Sequence, residues 1–387
     1  MANLNGLHHP NLKYQILNPF TQIDEAQSIW ESLQDKCDHS YFNSWGWISI
    51  WLKSLPQNTD LSLVALLSNN KPAAAFFLGR NSRKNHKIIP ANTISLNSTA
   101  NSYYDKLTIE YNSILQDSSL HSSPSEHFTF INTLKWDEFR IPGATSDLVN
   151  QLHLLDNPDT NLYFLLERST HSFFVELQKI RDANMNYLGL LSSNKRSQIK
   201  RSIKQYELEG QILVREAETT EKALSMLEEL ASLHQKEWAT RGESGAFSNQ
   251  FFIDFHKKLI EYRFSHNEIQ ILHIHTQKQT IGYLYNFIYK KRVLFYQCGF
   301  NYREDNNYRP GLVSHYFAIM HNAQKNLSKY DFLAGDSAYK RSLSTGSEPM
   351  YWIRFFKKRY RYNLEKGLLK LSQFLKSREK NINETNS

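Results

Sequence analysis

Two stretches of the chain alternate between apolar runs and polar breaks in the same way. Residues 61–79 read LSLVALLSNNKPAAAFFLG, two apolar runs around the break Ser68-Asn69-Asn70-Lys71. Residues 269–289 read IQILHIHTQKQTIGYLYNFIY, with Thr276-Gln277-Lys278-Gln279 as the break. Apolar runs of this length around a short polar break predict strands paired as hairpins. VLFYQCGF (293–300) follows the second pair at once and predicts a third strand.

The pattern upstream of each hairpin repeats as well. SYFNSWGWISIWLKSL (40–55) and GAFSNQFFIDFHKKLI (245–260) both place a Phe, then Ser or Asn, then aromatics at helical spacing. The Ser and Asn side chains suit the N-cap, where they accept from first-turn amides. Each stretch is itself preceded by a helical pattern, at 21–36 and 220–238. Three elements in the same order twice predict a duplication, two related α/β domains meeting near residues 165–185. Within the first domain, 80–125 is rich in Asn and Ser and predicts long loops and irregular strands. Towards the C-terminus, Leu364, Leu368, Leu371 and Leu375 form a stripe among Lys and Arg, predicting a terminal helix packed on its own domain. From about 378 the chain is polar and expected to be disordered.

Composition narrows the class. The 387 residues are too many for one compact core. With 40% hydrophobic and 13% aromatic residues, widespread disorder is excluded. The net charge of +8 favours an anionic partner such as nucleic acid, an acidic membrane surface or a phosphorylated ligand. Cys37 and Cys298 are the only cysteines and form no CxxC, so neither a disulfide framework nor a zinc site is expected. The N-terminal MANLNGLHHPNLKY lacks the apolar core of a secretory signal, and no run reaches the ~18 apolar residues of a membrane span. A soluble, cytoplasmic protein is expected.

Several segments offer chemistry. LSSNKRSQIKRSIKQYELEG (191–210) predicts a capped helix with Lys195, Arg196, Lys200, Arg201 and Lys204 around its polar face. Such a face is either solvated or a grip for phosphate oxygens. In 221–247, His234 falls on one stripe with Leu224, Leu227, Ala231 and Trp238, which suits a core histidine or a base at a cleft. His273 and His275 share a strand face, but no third ligand follows by spacing, and no metal is expected. After VLFYQCGF, Arg309-Pro310-Gly311-Leu312 opens a helix, an arrangement whose free amides and dipole can hold a pyrophosphate. No GxGxxG or P-loop is present. Finally, the run YDFLAG (330–335) ends in Asp336, Tyr339 and Lys340, an acid, a phenol and an amine just past a strand.

The order of these elements resembles a GNAT N-acyltransferase domain. The specific resemblance is to CelD/BcsL-like acetyltransferases, relatives of the FemABX peptidyltransferases, which carry two GNAT-like domains in tandem. It rests on SSNKRSQIKRSIK, LHQKEWATRGESGAF, RPGLVSHY, YDFLAGDSAYK and PMYWIRFFKK, and in the first half on YFNSWGW. The fold this implies is α/β (α+β), each domain a mixed, mostly antiparallel central sheet flanked by helices. The domains would be 1–175, a diverged N-terminal copy; 176–365, the acyltransferase domain; and 366–387, the terminal helix and tail. The resemblance implies an acyl group moving from acetyl-CoA, another acyl-CoA or a carrier-protein thioester to an amine acceptor, with a cell-envelope polysaccharide precursor as one candidate. It places the donor at Arg309, Gly311, Leu312, Gln297, Gly299, Lys195, Arg196 and Arg201, and proton handling at Asp336, Tyr339, Lys340 or His234. Where the family carries Q/R-x-x-G-x-G/A, this chain has Tyr308-Arg309-Pro310-Gly311. Two alternatives therefore stand beside it: a tRNA-dependent aminoacyl or peptidyl transferase of the FemABX kind, and a non-catalytic binding protein with a GNAT-like fold.

Overall fold

The computed structural model describes residues 12–85, 89–119, 124–153, 162–357, 363–364 and 367–368. Nearly all of the expected terminal helix and tail, Leu371 and Leu375 included, lies outside the described residues. The first half runs β1 (Leu12–Leu17), α1 (Ile23–Gln34), α2 (Trp45–Ser54), β2 (Leu61–Ser68), β3 (Lys71–Asn85), β4 (Ile89–Leu96), β5 (Leu115–Gln116), α3 (Pro124–Thr133), β6 (Glu138–Thr145), α4 (Ser146–His153) and β7 (Tyr163–Glu176). The second continues with α5 (Leu177–Asp182), α6 (Ser193–Glu207), β8 (Leu213–Glu216), α7 (Thr220–Thr240), α8 (Gln250–Arg263), β9 (Ile269–His275), β10 (Thr280–Tyr289), β11 (Arg292–Phe300), α9 (Pro310–Gln324), β12 (Lys329–Ala334), α10 (Ala338–Leu343) and β13 (Gly346–Phe356).

The repeated local signals act as the sequence suggests. Ser44 Oγ accepts from Trp47 N at 3.3 Å and Asn249 Oδ1 from Phe252 N at 2.9 Å, capping α2 and α8. Asn69 and Asn70 both take positive φ (50° and 62°), the backbone of a two-residue hairpin turn between β2 and β3. Lys290 and Lys291 do the same between β10 and β11, at 46° and 61°.

All the strands belong to one sheet, ordered β1-β2-β3-β4-β6-β13-β7-β12-β11-β10-β9-β8, with β5 paired to β3. Its pairings are antiparallel except for β4 with β6 and β11 with β12. The order reads the same from both ends: four strands, a parallel partner, then a long closing strand. Those closing strands are exchanged. β7, from the first half, pairs with β12, and β13, from the second, pairs with β6. The two also pair with each other along their length.

Strand alternation sorts the core onto the two faces of this sheet. On one face Leu61 and Leu63 of β2 and Ile269 and Ile271 of β9 join α1, α2, α7 and α8 in a single cluster spanning both halves. Trp47 of α2 sits there against Phe255 of α8, ring centroids 4.7 Å apart. On the other face α3 and α4 cover the first half and α5, α6 and α9 the second. Among the described residues, no helix is long and apolar enough to cross a membrane.

Candidate active site

The parallel pairing of β11 with β12 lasts only from Arg292↔Lys329 to Leu294↔Asp331. Beyond it the strands part. On β11 the register against β10 passes from Phe295↔Asn286 to Gln297↔Tyr285, so Tyr296 is an extra, bulged residue. On β12 the chain turns at Leu333, whose φ is +58°, and at Gly335, with φ +128°. Asp331 sets this turn: buried, its Oδ1 accepts from Ser172 Oγ (2.7 Å) and Leu333 N (2.8 Å), and its Oδ2 from Tyr111 Oη (2.6 Å). Burial raises the Asp331 carboxyl above its ordinary range.

The parted strands open onto a cavity of about 1370 Å³. A pocket for a single small molecule spans roughly 300–1,000 Å³, so two reactants fit here together. Its lining comes from both halves: Gln297, Cys298, Arg309, Gly311, Lys195, Tyr339 and Lys340 on one side, and Ser95, Ser98, Asp105, Glu110 and Arg140 on the other.

At one end stands the N-terminus of α9. Pro310 occupies its first position, and the N–H groups of Gly311 and Leu312 have no acceptor among the described residues. A Cβ on Gly311 would lie 3.2 Å from the Phe300 ring. Arg309 is anchored through its N–H to Ser202 Oγ (2.9 Å) and through Nη1 to Gln198 Oε1 (3.2 Å). Lys195 also bonds Gln198 Oε1, at 3.0 Å, and its pKa is lowered first by burial and then by Arg309. Two cations on one acceptor beside free helix amides form an arrangement that can hold an anion.

At the other end Lys340 donates to the carbonyls of Leu333 (3.1 Å) and Ala334 (2.8 Å), fastening the end of β12. Burial lowers its pKa, opposed by Glu110 and Asp331. Tyr339 stacks on His315, centroids 5.4 Å apart, and burial raises its phenol well above the ordinary value. Its proton stays on the oxygen, so it serves as a hydrogen-bond donor. His234 Nδ1 donates to the Cys298 carbonyl at 3.0 Å, which leaves Nε2 as the acceptor, 3.5 Å from Ala246 N. Burial lowers its pKa and pushes the Cys298 thiol up to about 12.

Eight of the twelve residues singled out in the sequence meet in this lining: His234, Tyr339, Lys340, Lys195, Gln297, Arg309, Gly311 and Leu312. The other four stand apart from it. Asp336 is half exposed and paired with Arg341. A Cβ on Gly299 would fall 2.3 Å from the Leu230 carbonyl, so this glycine serves the close approach of α7. Arg196 spends its guanidinium on the carbonyls of Leu188 (3.0 Å) and Leu191 (3.2 Å), and Arg201 lies exposed on α6. His273 and His275 stack at 4.5 Å without a third ligand, and no cluster of three metal-ligating side chains occurs among the described residues.

Sequence reading missed Glu110 and His315. His315 is buried, its Nδ1 3.2 Å from Tyr330 Oη, and its pKa is pushed down to about 3 by burial. Glu110 is 6% exposed; its Oε2 accepts from Ala334 N at 2.6 Å, and burial pushes its pKa up to about 7. A lone acid within LTIEYNSIL was the only available signal.

The first half has a corresponding pair, β4 and β6, which parts after Ser95↔Arg140. There the chain bridges its own opening. Asn112 Nδ2 donates to Leu96 O (3.1 Å) on β4 and Pro142 O (2.9 Å) on β6, and its N–H bonds Gly143 O at 2.8 Å.

Comparison with known proteins agrees with this geometry. Residues 193–341 match the model of an acetyltransferase (GNAT) domain. The fold is similar to the crystal structure of FemX, with TM-score 0.53 and 10% identity over 91% of this chain and 99% of that one. It is also similar to a protein of unknown function from Bacteroides thetaiotaomicron (TM-score 0.51, 10% identity, 89% and 99% covered). A third likeness is the C-terminal domain of a putative lysylphosphatidylglycerol synthetase from Agrobacterium fabrum (0.50, 10%, 89% and 96%). No curated protein matches the chain. Residues 193–341 thus match an acetyltransferase (GNAT) domain, and the fold of the chain as a whole is similar to that of FemX.

Proposed function

We propose that the protein is an N-acyltransferase that moves an acyl group from a CoA thioester to an amine acceptor. The observation that carries this reading is the parting of β11 from β12, which opens directly onto a cavity with the α9 N-terminus, Arg309 and Lys195 at its edge. The donor's pyrophosphate would rest on the Gly311 and Leu312 amides, Arg309 and Lys195. Its thioester arm would run between the parted strands, where backbone groups of β11 no longer pair with β12. Tyr339 would donate a hydrogen bond to the departing sulfur. Lys340 and His234 support the site by holding the carbonyls of Leu333, Ala334 and Cys298. The acceptor would enter from the side lined by the first half.

One observation favours a second reading, transfer from an aminoacyl-tRNA. Lys200, Arg201 and Lys204 form an exposed basic face on α6, suited to a nucleic-acid backbone. A thermal-shift series with acetyl-CoA, longer acyl-CoAs and charged tRNA separates the two. A donor at 100 times its dissociation constant adds about 2.7 kcal/mol of stability. Stabilisation by acyl-CoA that is lost in Arg309→Ala supports the first reading. Indifference to every CoA thioester, with salt-dependent binding of tRNA, sinks it.

A further inference from the structure

The segment Glu110–Asn112 joins the two halves of the molecule at the place where they could cooperate chemically. Asn112 closes the opening between β4 and β6, as described above. Its neighbour Tyr111, with φ +54°, reaches across to Asp331 on β12. Next to it Glu110 is held to the last amide of β12, Ala334 N, through Oε2 alone. Oε1 receives no hydrogen bond among the described residues, and the residue lines the cavity. A buried carboxylate with one oxygen anchored and the other free is oriented but not consumed.

We propose that Glu110, supplied by the first half, takes the proton from the acceptor amine in the second half's transfer reaction. This rests on the acyltransfer reading above. The amine nitrogen forms its bond to the thioester carbonyl carbon while its proton passes to Glu110 Oε1. The C–S bond breaks, and the thiolate, hydrogen-bonded by Tyr339, is protonated by solvent as it leaves. Glu110 then returns its proton to solvent, so charge and atoms balance. The groups facing Glu110 suit this role, since Lys340 and Arg168 favour the carboxylate, Asp331 opposes it, and burial outweighs them. The resulting affinity for a proton near neutrality is what a base needs at that pH. The first half thereby has a chemical role although its own opening is bridged.

The test uses the full chain, wild type and Glu110→Gln, with acetyl-CoA as donor and two acceptors at pH 7. Glucosamine is largely protonated there, whereas hydroxylamine is neutral and needs little help from a base. Gln keeps an acceptor for the Ala334 amide, so the fold is retained. The expected result is unchanged stabilisation by acetyl-CoA, transfer to glucosamine reduced about 100-fold or more, and transfer to hydroxylamine nearly unchanged. Equal transfer to glucosamine by both proteins overturns the proposal. So does loss of acetyl-CoA binding in Glu110→Gln, which would make Glu110 a donor-site group, and so does absence of transfer by wild type to either amine while acetyl-CoA binds. If acetyl-CoA fails to stabilise the wild type, the acyltransfer reading falls first and the proposal with it.

Discussion

Asn97 Nδ2 donates to Asn112 Oδ1 at 2.8 Å, joining the end of β4 to the segment that bridges β4 and β6. Asn97 itself has φ +49°, and its Oδ1 accepts from Phe77 N at 2.8 Å. Both side chains are buried, and together they satisfy backbone groups that the parting of the strands leaves without partners. The corresponding place between β11 and β12 has no such bridge among the described residues.

This difference predicts one donor site per chain. Isothermal titration with acetyl-CoA should give a stoichiometry near one, and two equivalent sites would contradict the bridged opening. Asn112→Ala leaves the Leu96 and Pro142 carbonyls without this donor and removes one acceptor of Asn97 Nδ2, and should destabilise the protein by about 3 kcal/mol in urea unfolding.

The raised pKa of Glu110 predicts a pH-dependent stability. Its folded value near 7 lies above the ordinary 4.5, so the folded state binds the proton more tightly than the unfolded chain. This contribution is complete below about pH 4.5 and is lost as pH rises towards and through 7. Glu110→Gln lacks the loss, so it should gain on wild type between pH 4 and pH 8 by about 3 kcal/mol at most. Parallel stability curves for the two proteins would contradict the buried, singly anchored carboxylate.

Arg309 and Asp336 should behave oppositely. On the proposed acyl-CoA reading, Arg309→Ala removes a charge-assisted contact to the donor's pyrophosphate and should weaken acyl-CoA binding by about 10- to 100-fold, measured by titration. Asp336→Ala breaks only an exposed pair with Arg341, whose worth is within about 1 kcal/mol, and turnover should stay within about twofold. A large loss of turnover in Asp336→Ala would return that residue to the reacting end of the cavity.

Trp47 ties α2 of the first half to α8 of the second, fully buried against Phe255 and Phe287. Trp47→Ala should cost about 3–5 kcal/mol. Because the core spans both halves, unfolding followed by fluorescence and by circular dichroism should remain one coincident transition. Two separated transitions would show that the shared core does not couple the halves.

What was legible in the sequence was local. The caps at Ser44 and Asn249, the Asn69-Asn70 turn and Pro310 at the start of α9 each depend on a few neighbouring residues, and each stands where the pattern puts it. The meeting of Arg309, Gly311, Leu312 and Lys195 in one lining followed from the same kind of signal. The strand exchange did not, because the pairing of Met350 with Thr145 joins residues that no local pattern relates. Of the groups read as proton handlers, Tyr339, Lys340 and His234 line the cavity, while Asp336 lies outside that lining and pairs with Arg341. An acid just past a strand, Asp336, drew notice, while Glu110 sits in a loop whose path depends on the Asn97–Asn112 contact. The acid at the end of β12 comes from the other half of the molecule.

The exchange of closing strands also bears on how the chain is made. β13 fills the place between β6 and β7, yet it follows every other strand of the sheet in synthesis. Until then the nascent first half holds two strand edges, on β6 and β7, with unpaired N–H and C=O groups. At synthesis rates of about 5–20 residues per second, those edges stay open for many seconds. The first half's sheet therefore waits on the second half for its completion, and the interval before β13 arrives is when a chaperone or a second nascent copy could compete for that place.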